Sequence, residues 1–228
     1  MENIIVGIDI AKSVFQVCGV GPQRQVLFNK RLSRKGLEGF IAQLPACRVA
    51  MEACYMSHYW GRRLQALGHE VQLIPAQHVK PFVRGNKNDA NDALAIVEAS
   101  ERPGLRSVPV KSVHQQEVLA LHRIRERLKG QRIQLMNQTR GLLAEFGVVM
   151  GQGHASFRKA MAHLDQEENL TPRLKAALSR CAEEYRYLSG QLETVEQELT
   201  AFVENTPACG LLLSMPGIGF INASALVA

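Results

Sequence analysis

Two aspartates three residues apart, Asp89 and Asp92, stand where a helical pattern begins. Small and apolar residues dominate positions 93–99, which predicts a helix starting near residue 88 or 89. Positions i and i+3 of a helix share one face, and two carboxylates about 5 Å apart repel by roughly 3 kcal/mol at an effective dielectric near 20. A hard divalent cation relieves such repulsion. Acidic residues also cap first helical turns, so the pair alone leaves both interpretations open.

Two further acids each follow a predicted strand. Residues 3–9 form an apolar, β-branched run that ends at Asp9, and residues 47–51 form a second run directly before Glu52. Such runs are typical of strands covered on both faces. Open α/β sheets place their sites at the carboxyl ends of strands, so both acids are expected at one edge, with the Asp89/Asp92 helix closing over it. Asp9 alone has an equally good structural explanation, but the four carboxylates together predict a metal site.

The order of the predicted elements is three strands, helix, strand, helix, strand, helix. Ser33 is a candidate cap for the first helix, and Gly68 ends the second. The remaining strands are predicted at 14–20, 25–32 and 70–74, with the helices at 35–44 and 55–67. This order predicts an α/β fold with a ribonuclease H-like mixed sheet and flanking helices.

The sequence becomes helical from residue 113 to residue 146. Acids are scarce between residues 102 and 140, while basic residues recur. The polar faces are either ordinary solvated surface or a phosphate-binding surface, and the excess of cations favours phosphate contact. The residues predicted to bind nucleic acid here are Arg123, Arg125, Arg127, Lys129 and Arg132.

A second long helix is predicted from 174 to 202, where apolar residues alternate at spacings of four and three. That pattern is a heptad seam, typical of a coiled coil. The seam can pair with the 113–146 helix of the same chain or with another subunit. An unpaired seam would expose apolar surface, which predicts self-association.

The last segment resembles half of a helix-hairpin-helix. Its turn, residues 216–219, contains Gly217 and Gly219, and backbone N–H groups at the start of the following helix can face a phosphate. Because the sequence stops inside that helix, we expect a truncated chain. The predicted domains are 1–105, a helical and coiled-coil region 106–206, and the start of a further domain at 207–228.

Composition narrows the class of partner. Lys and Arg total 27 against 21 acids, a formal net charge of +6, which favours a polyanionic partner. Five cysteines without metal-ligand spacing and no targeting segment predict a reducing cytoplasm. No apolar run approaches 18 residues, so no membrane partner is expected. Lys12 is either a phosphate contact or an exposed turn residue, and the pair Tyr59-Trp60 is predicted to be core rather than a stacking platform.

These residues together resemble the DEDD transposases of bacterial insertion sequences, a family that includes Piv-like DNA invertases and bridge-RNA-guided recombinases. The resemblance covers essentially the whole chain. Its most specific part is the stretch 73–93, and its other parts are Ile8–Lys12, Met51–Ala53 and Ser214–Gly219.

The resemblance implies a RuvC-like nuclease domain in which Asp9, Glu52, Asp89 and Asp92 are catalytic and bind Mg²⁺, with Mn²⁺ as a substitute. It implies a dimer or tetramer, donor and target DNA, and a structured non-coding guide RNA. Lys12 and Lys87 are predicted as further nucleic-acid contacts. The resemblance also implies a nucleophilic serine C-terminal to residues 216–219, for which this sequence has no match. A nucleoid-associated location in the bacterial cytoplasm follows.

Two rival functions stay open at this point. A Holliday-junction resolvase or other RuvC-like nuclease would use the same carboxylates to activate water, leaving free ends rather than a covalent protein–DNA adduct. A non-catalytic nucleic-acid-binding assembly module would keep the fold without a metal-binding tetrad.

Overall fold

The computed structural model describes residues 4–83 and 89–228, with only the backbone of Asp89. The chain divides into two compact units, a sheet unit, Met1–Ser112, and a helical unit, Val113–Ala228. The predicted domain boundaries at residues 105 and 206 stay predictions.

The sheet unit is built on five strands in the order β3-β2-β1-β4-β5. They are β1 Ile5–Asp9, β2 Val14–Val20, β3 Val26–Ser33, β4 Arg48–Glu52 and β5 Glu70–Ile74. β1, β2 and β3 pair antiparallel, whereas β1, β4 and β5 pair parallel. This mixed order is that of a ribonuclease H-like α/β fold, so the predicted fold class is confirmed.

Two helices cover one face of the sheet: α1 Arg34–Ile41 and α2 Ser57–Ala66. Since side chains alternate along a strand, one set from each strand reaches this core. Its fully buried members include Val6, Ile8, Phe15, Val17, Leu37, Ile41, Val49, Met51 and Leu64. Ser33 caps α1 as predicted, because its hydroxyl accepts the Gly36 N–H at 3.1 Å.

The opposite face carries α4, Asp89–Ser100, after a short helix α3, Ala76–Val79, and a 3-10 turn, Lys80–Phe82. Gly7 makes the close approach of α4 possible. A Cβ built at Gly7 would clash with the carbonyl oxygen of Ala93 and lie 2.7 Å from Val97 Cγ2. β1 therefore needs glycine where α4 crosses it.

The helical unit contains α5 Val113–Ala144, α6 Gly153–Ala162, a 3-10 turn Leu164–Gln166, α7 Pro172–Glu204, α8 Pro207–Leu213 and α9 Phe220–Val227. Thr171 caps α7 by accepting the Leu174 N–H at 3.3 Å. α8 and α9 pack on each other around Cys209 and Ala223, and Val203 of α7 shares that cluster.

The predicted heptad seam lies on α7 and packs against α5 of the same chain. Leu178, Leu188, Leu192 and Leu199 are buried in one cluster with Leu128 and Leu135. The intrachain alternative is therefore the one observed. Self-association stays a prediction, and the apolar stripe that suggested it is covered by α5 of the same chain.

Among the described residues, no helix is both long and apolar enough to cross a membrane.

Candidate carboxylate site and nucleic-acid surfaces

Asp9 and Glu52 end two neighbouring parallel strands. Ile8 pairs with Met51, so the next residue of each strand leaves the sheet at the same edge. Adjacent strands lie about 4.8 Å apart. Both acids are half-buried, and alternation puts them on the α4 face, the face of Gly7 and Ala50. The structure thus brings together two carboxylates that are 43 positions apart in the sequence.

α4 runs antiparallel to β1, so its first turn lies toward Asp9. The carbonyl of Ala93 lies over Gly7, while Glu101, just after the helix, is 3.7 Å from Arg24 in the β2–β3 turn at the other end of the sheet. Four helical residues rise about 6 Å and two strand residues about 6.6 Å. The backbone at residue 89 therefore starts at the level of Asp9.

The side chain of only one of the two predicted helical acids is described by the structure. Asp92 is half-buried in the first turn of α4, one residue before Ala93. The side chain of Asp89 lies outside the described residues. Among the residues that are described, no three or more His, Cys, Asp or Glu side chains form a group able to hold a metal. The four-carboxylate set therefore stays a prediction.

The thiol of Cys54, two residues beyond Glu52, reports the charge at this edge. The surrounding protein removes water from the thiol, and this desolvation raises its pKa most. The negative charges of Glu52 and then Asp9 raise it further, to about 11. Both carboxylates therefore lie close enough to Cys54 for their charges to raise the pKa of its thiol. Sequence reasoning missed this residue, and its position just after Glu52 was the only available signal.

The donor chemistry of this edge suits a hard cation. Carboxylate oxygens are the ligands that Mg²⁺ and Mn²⁺ prefer, and Asp9 and Glu52 offer them from two fixed strand ends. Asp92 on α4 is a third candidate ligand. The residues present therefore fit the divalent ion that the sequence implied.

A polar chain links the sheet to the start of α4. Gln16, the β2 partner of Asp9, donates from its side chain to Asn29 Oδ1 at 2.5 Å. Asn29 Nδ2 in turn donates to the carbonyl of Ala90 at 3.4 Å. Lys12 is exposed in the loop after Asp9. Lys87, the other lysine predicted here, lies outside the described residues.

The five predicted cations of α5 do not form one surface. At 100° per residue, Arg123 and Arg127 share a side of the helix, and both are exposed, as is Lys129. Arg125 donates to Glu196 of α7 and to Glu126, at 2.8 and 2.7 Å.

Arg132 is also half-buried, with its guanidinium over the Tyr185 ring at 5.9 Å. It donates to Ser189 at 3.4 Å. Arg125 and Arg132 therefore serve packing inside the helical unit, and their predicted nucleic-acid contacts remain predictions.

The predicted turn at 216–219 is present. The Ile218 N–H donates to the carbonyl of Met215 at 3.2 Å, and Gly217 has φ +87°, which fits a type II turn with Pro216 before it. Gly219 directly precedes α9. The predicted phosphate contact at this turn stays a prediction.

Neither serine of the last segment resembles a nucleophile. Ser224 is fully buried and donates to the carbonyl of Phe220 at 2.9 Å, with His122 Nε2 3.0 Å away. Ser214 donates to the carbonyl of Leu211 at 2.7 Å.

The chain is similar to known proteins over nearly its whole length. The family model of the IS110-type DEDD transposases, described as a transposase, matches residues 6–148. A probable family 20 transposase of Pseudomonas aeruginosa is 42% identical over 226 residues, which is 98% of this chain and 67% of that protein. The transposase of insertion sequence element IS1328 of Yersinia enterocolitica is 40% identical, over 99% of this chain and 68% of its own length.

The transposase of element IS1111A of Coxiella burnetii is 39% identical, over 100% of this chain and 64% of its own. The chain thus spans about two thirds of the curated relatives that it matches. Among solved structures, RuvC of T. thermophilus in complex with a Holliday junction substrate matches with a TM-score of 0.33 at 13% identity, over 46% of this chain and 99% of that one. The fold class rests on the strand order.

The chain is a member of the DEDD transposase family of insertion sequences.

Proposed function

We propose that the protein acts in Mg²⁺-dependent cleavage and exchange of DNA strands during transposition of a bacterial insertion sequence. Membership of the transposase family supports the reaction class. The observation that carries the proposal is the convergence of Asp9 and Glu52 on the α4 face at the ends of β1 and β4. Asp89 and Asp92 complete the proposed set.

The proposed chemistry is transesterification at a phosphodiester. A bound divalent ion supplies charge neutralisation at the phosphate. Asp9 and Glu52 hold their oxygens at fixed strand ends, with Asp89 and Asp92 as further ligands, and Lys12 contacts a neighbouring phosphate. The serine nucleophile implied by the family resemblance has no match among these residues, and the burial of Ser224 argues against that serine as a substitute. A resolvase-like reaction would instead activate water.

The proposed partners are donor and target DNA and a structured guide RNA in the bacterial cytoplasm at the nucleoid. Supporting features are the net charge of +6 and the exposed cations Arg123, Arg127 and Lys129. Lys87 and the Gly217–Gly219 turn are proposed as further phosphate contacts. A dimer or tetramer is proposed from the family resemblance.

Calorimetric titration with Mn²⁺ tests the carboxylate site. We expect Asp9→Asn and Glu52→Gln each to weaken Mn²⁺ binding at least about tenfold, the equivalent of 1.4 kcal/mol, because each removes a charged ligand. Asp165→Asn, which changes an exposed acid in the helical unit, is the matched control and should bind as the wild type does. Undiminished Mn²⁺ binding in both site variants would contradict the proposal.

The nature of the product tests the reaction itself. A covalent protein–DNA adduct, formed when the chain acts together with the part of a relative that this chain does not match, supports the transposase chemistry. Free hydrolysed ends without an adduct would favour the metal-activated-water alternative.

A further inference from the structure

An exposed aromatic and cationic surface adjoins the carboxylate edge. Tyr55, three residues after Glu52, is 78% exposed, and Tyr59 on α2 is 43% exposed. Trp60, beside them, is buried at 3% exposure. The sequence prediction that Tyr59-Trp60 is core was therefore confirmed for Trp60 and wrong for Tyr59.

Arg34 organises this surface. Its guanidinium carbon lies 5.7 Å from the ring centre of Tyr59 and 5.6 Å from that of Trp60. Its Nη1 donates to the sulfur of Met56 at 2.9 Å. Met56 has φ +68°, a left-handed backbone that L side chains rarely adopt. The contact with Arg34 holds the strained turn that carries Tyr55.

Two connections tie this surface to the carboxylates. The backbone N–H of Arg34 donates to the carbonyl of Ser13 at 3.1 Å, which fixes the β1–β2 loop containing Lys12 against the start of α1. The backbone N–H of Cys54, one residue before Tyr55, donates to the carbonyl of Glu52 at 2.9 Å, so Tyr55 follows the turn that leaves the end of β4. Tyr55, Tyr59 and Arg34 thus lie on segments that leave the sheet at the same edge as the carboxylates, on the side of α1 and α2, whereas Asp9 and Glu52 face α4.

We propose that Tyr55 and Tyr59, with Arg34 and Lys12, form a binding site for single-stranded DNA next to the carboxylate edge. Exposed aromatic rings accept the flat faces of unpaired bases, while cations beside them neutralise phosphates. A duplex hides those base faces by stacking and offers only groove edges. The site therefore selects unpaired nucleotides. The choice of DNA rests on the proposed function, in which a DNA strand approaches Asp9 and Glu52.

The chain contains its own reporter for this site. Trp60 is the only tryptophan, and its ring centre lies 5.4 Å from that of Tyr59 at an interplanar angle of 83°. Binding of bases on Tyr59 changes the surroundings of this indole. Tryptophan emission therefore locates binding in the sheet unit, and anisotropy of a labelled oligonucleotide gives the affinity.

The experiment titrates the full chain, in EDTA, with oligothymidylate of about 12 nucleotides, a length within the usual range of single-strand sites. We expect tighter binding of this strand than of a duplex of equal length, accompanied by a change in Trp60 emission. Tyr55→Leu should weaken binding about tenfold, since stacking on one ring is lost. Tyr55→Phe keeps a ring and should bind as the wild type does. Tyr187→Leu, at an exposed tyrosine of α7, is the matched control.

Several outcomes would contradict the proposal of a single-stranded DNA site. Equal affinity of Tyr55→Leu and the wild type, or an equal loss in Tyr187→Leu, excludes stacking on Tyr55. Tighter binding of an oligouridylate of equal length than of the oligothymidylate excludes DNA as the ligand. A sedimentation mass that falls in Tyr55→Leu while oligonucleotide affinity is unchanged assigns the surface to a protein contact. Because EDTA removes divalent ions, failure here leaves the Mn²⁺ result untouched, and failure of Mn²⁺ binding leaves this result untouched.

Discussion

The sheet unit and the helical unit differ in how the spacing of charged residues along the sequence relates to their positions in space. In the sheet unit, Asp9 and Glu52 come from distant positions and meet because parallel strands end together. In the helical unit, five cations lie within ten positions of α5, yet Arg125 and Arg132 turn inward to ion pairs and an aromatic ring. Closeness in sequence and closeness in space are therefore different properties. The rotation of 100° per residue separates neighbouring cations on a helix, whereas the pairing of parallel strands brings distant carboxylates together.

The largest expected effect concerns the seam of the helical unit. Leu192→Ala removes a side chain that is 5% exposed between α5 and α7, and we expect it to lower the free energy of unfolding by about 2–5 kcal/mol. Urea denaturation followed by circular dichroism measures this loss. Leu211→Ala, at a residue that is 71% exposed, should change stability by less than about 0.5 kcal/mol. Unchanged stability with a halved sedimentation mass would show that the seam joins subunits.

A glycine-to-alanine substitution should lower stability in the sheet unit and raise it in the helical unit. Gly7→Ala forces a methyl group against the Ala93 carbonyl and Val97 and should destabilise the chain by about 1–3 kcal/mol. Gly190→Ala, in an exposed part of α7 with open space around its Cβ, should stabilise it by up to about 1 kcal/mol. Thermal denaturation of both variants measures the contrast. Stabilisation by Gly7→Ala would mean that α4 does not lie against β1.

Salt dependence distinguishes the exposed cations of α5 from the paired ones. The double variant Arg123→Gln/Arg127→Gln should flatten the slope of log affinity for duplex DNA against log salt by about two, since each phosphate contact contributes about 0.9. Arg125→Gln removes a cation that already pairs with Glu196, so it should leave the slope unchanged. A slope that changes only in Arg125→Gln would reverse this assignment.

The smallest effect is a shift in the titration of Cys54. Its pKa is raised to about 11, partly by Glu52 and Asp9, so the thiol stays protonated and reacts slowly with iodoacetamide near about pH 8. Glu52→Gln removes one negative charge that disfavours the thiolate, so the pKa should fall and alkylation should accelerate. Peptide mass spectrometry at several pH values follows Cys54 alone.

Glu70→Gln is the control for this measurement, because Glu70 begins β5 at the opposite end of the sheet. Equal alkylation rates at Cys54 in the wild type and in Glu52→Gln would show that the Glu52 charge does not act on the thiol.

Most elements could be predicted from the sequence because their signals are local. Apolar alternation gave the strands 14–20 and 70–74 with the observed bounds. Ser33 was predicted as a cap from its hydroxyl and from the helical pattern that follows it. The exposure of Tyr55 and Tyr59 was not predictable in this way, because it depends on how α2 turns after Met56, and Met56 adopts a backbone that its residue type does not favour.

The sequence by itself determined the residue types of the site, the order of the strands along the chain and the apolar seam of α7. All three depend on composition and spacing along one chain. Only the tertiary structure decided which partner covers that seam and which arginines of α5 stay exposed. It also decided that α4 crosses β1 at Gly7 with its first turn toward Asp9. These outcomes depend on packing between segments far apart in sequence, and shape and close contact in three dimensions select among arrangements that the residue pattern leaves equally possible.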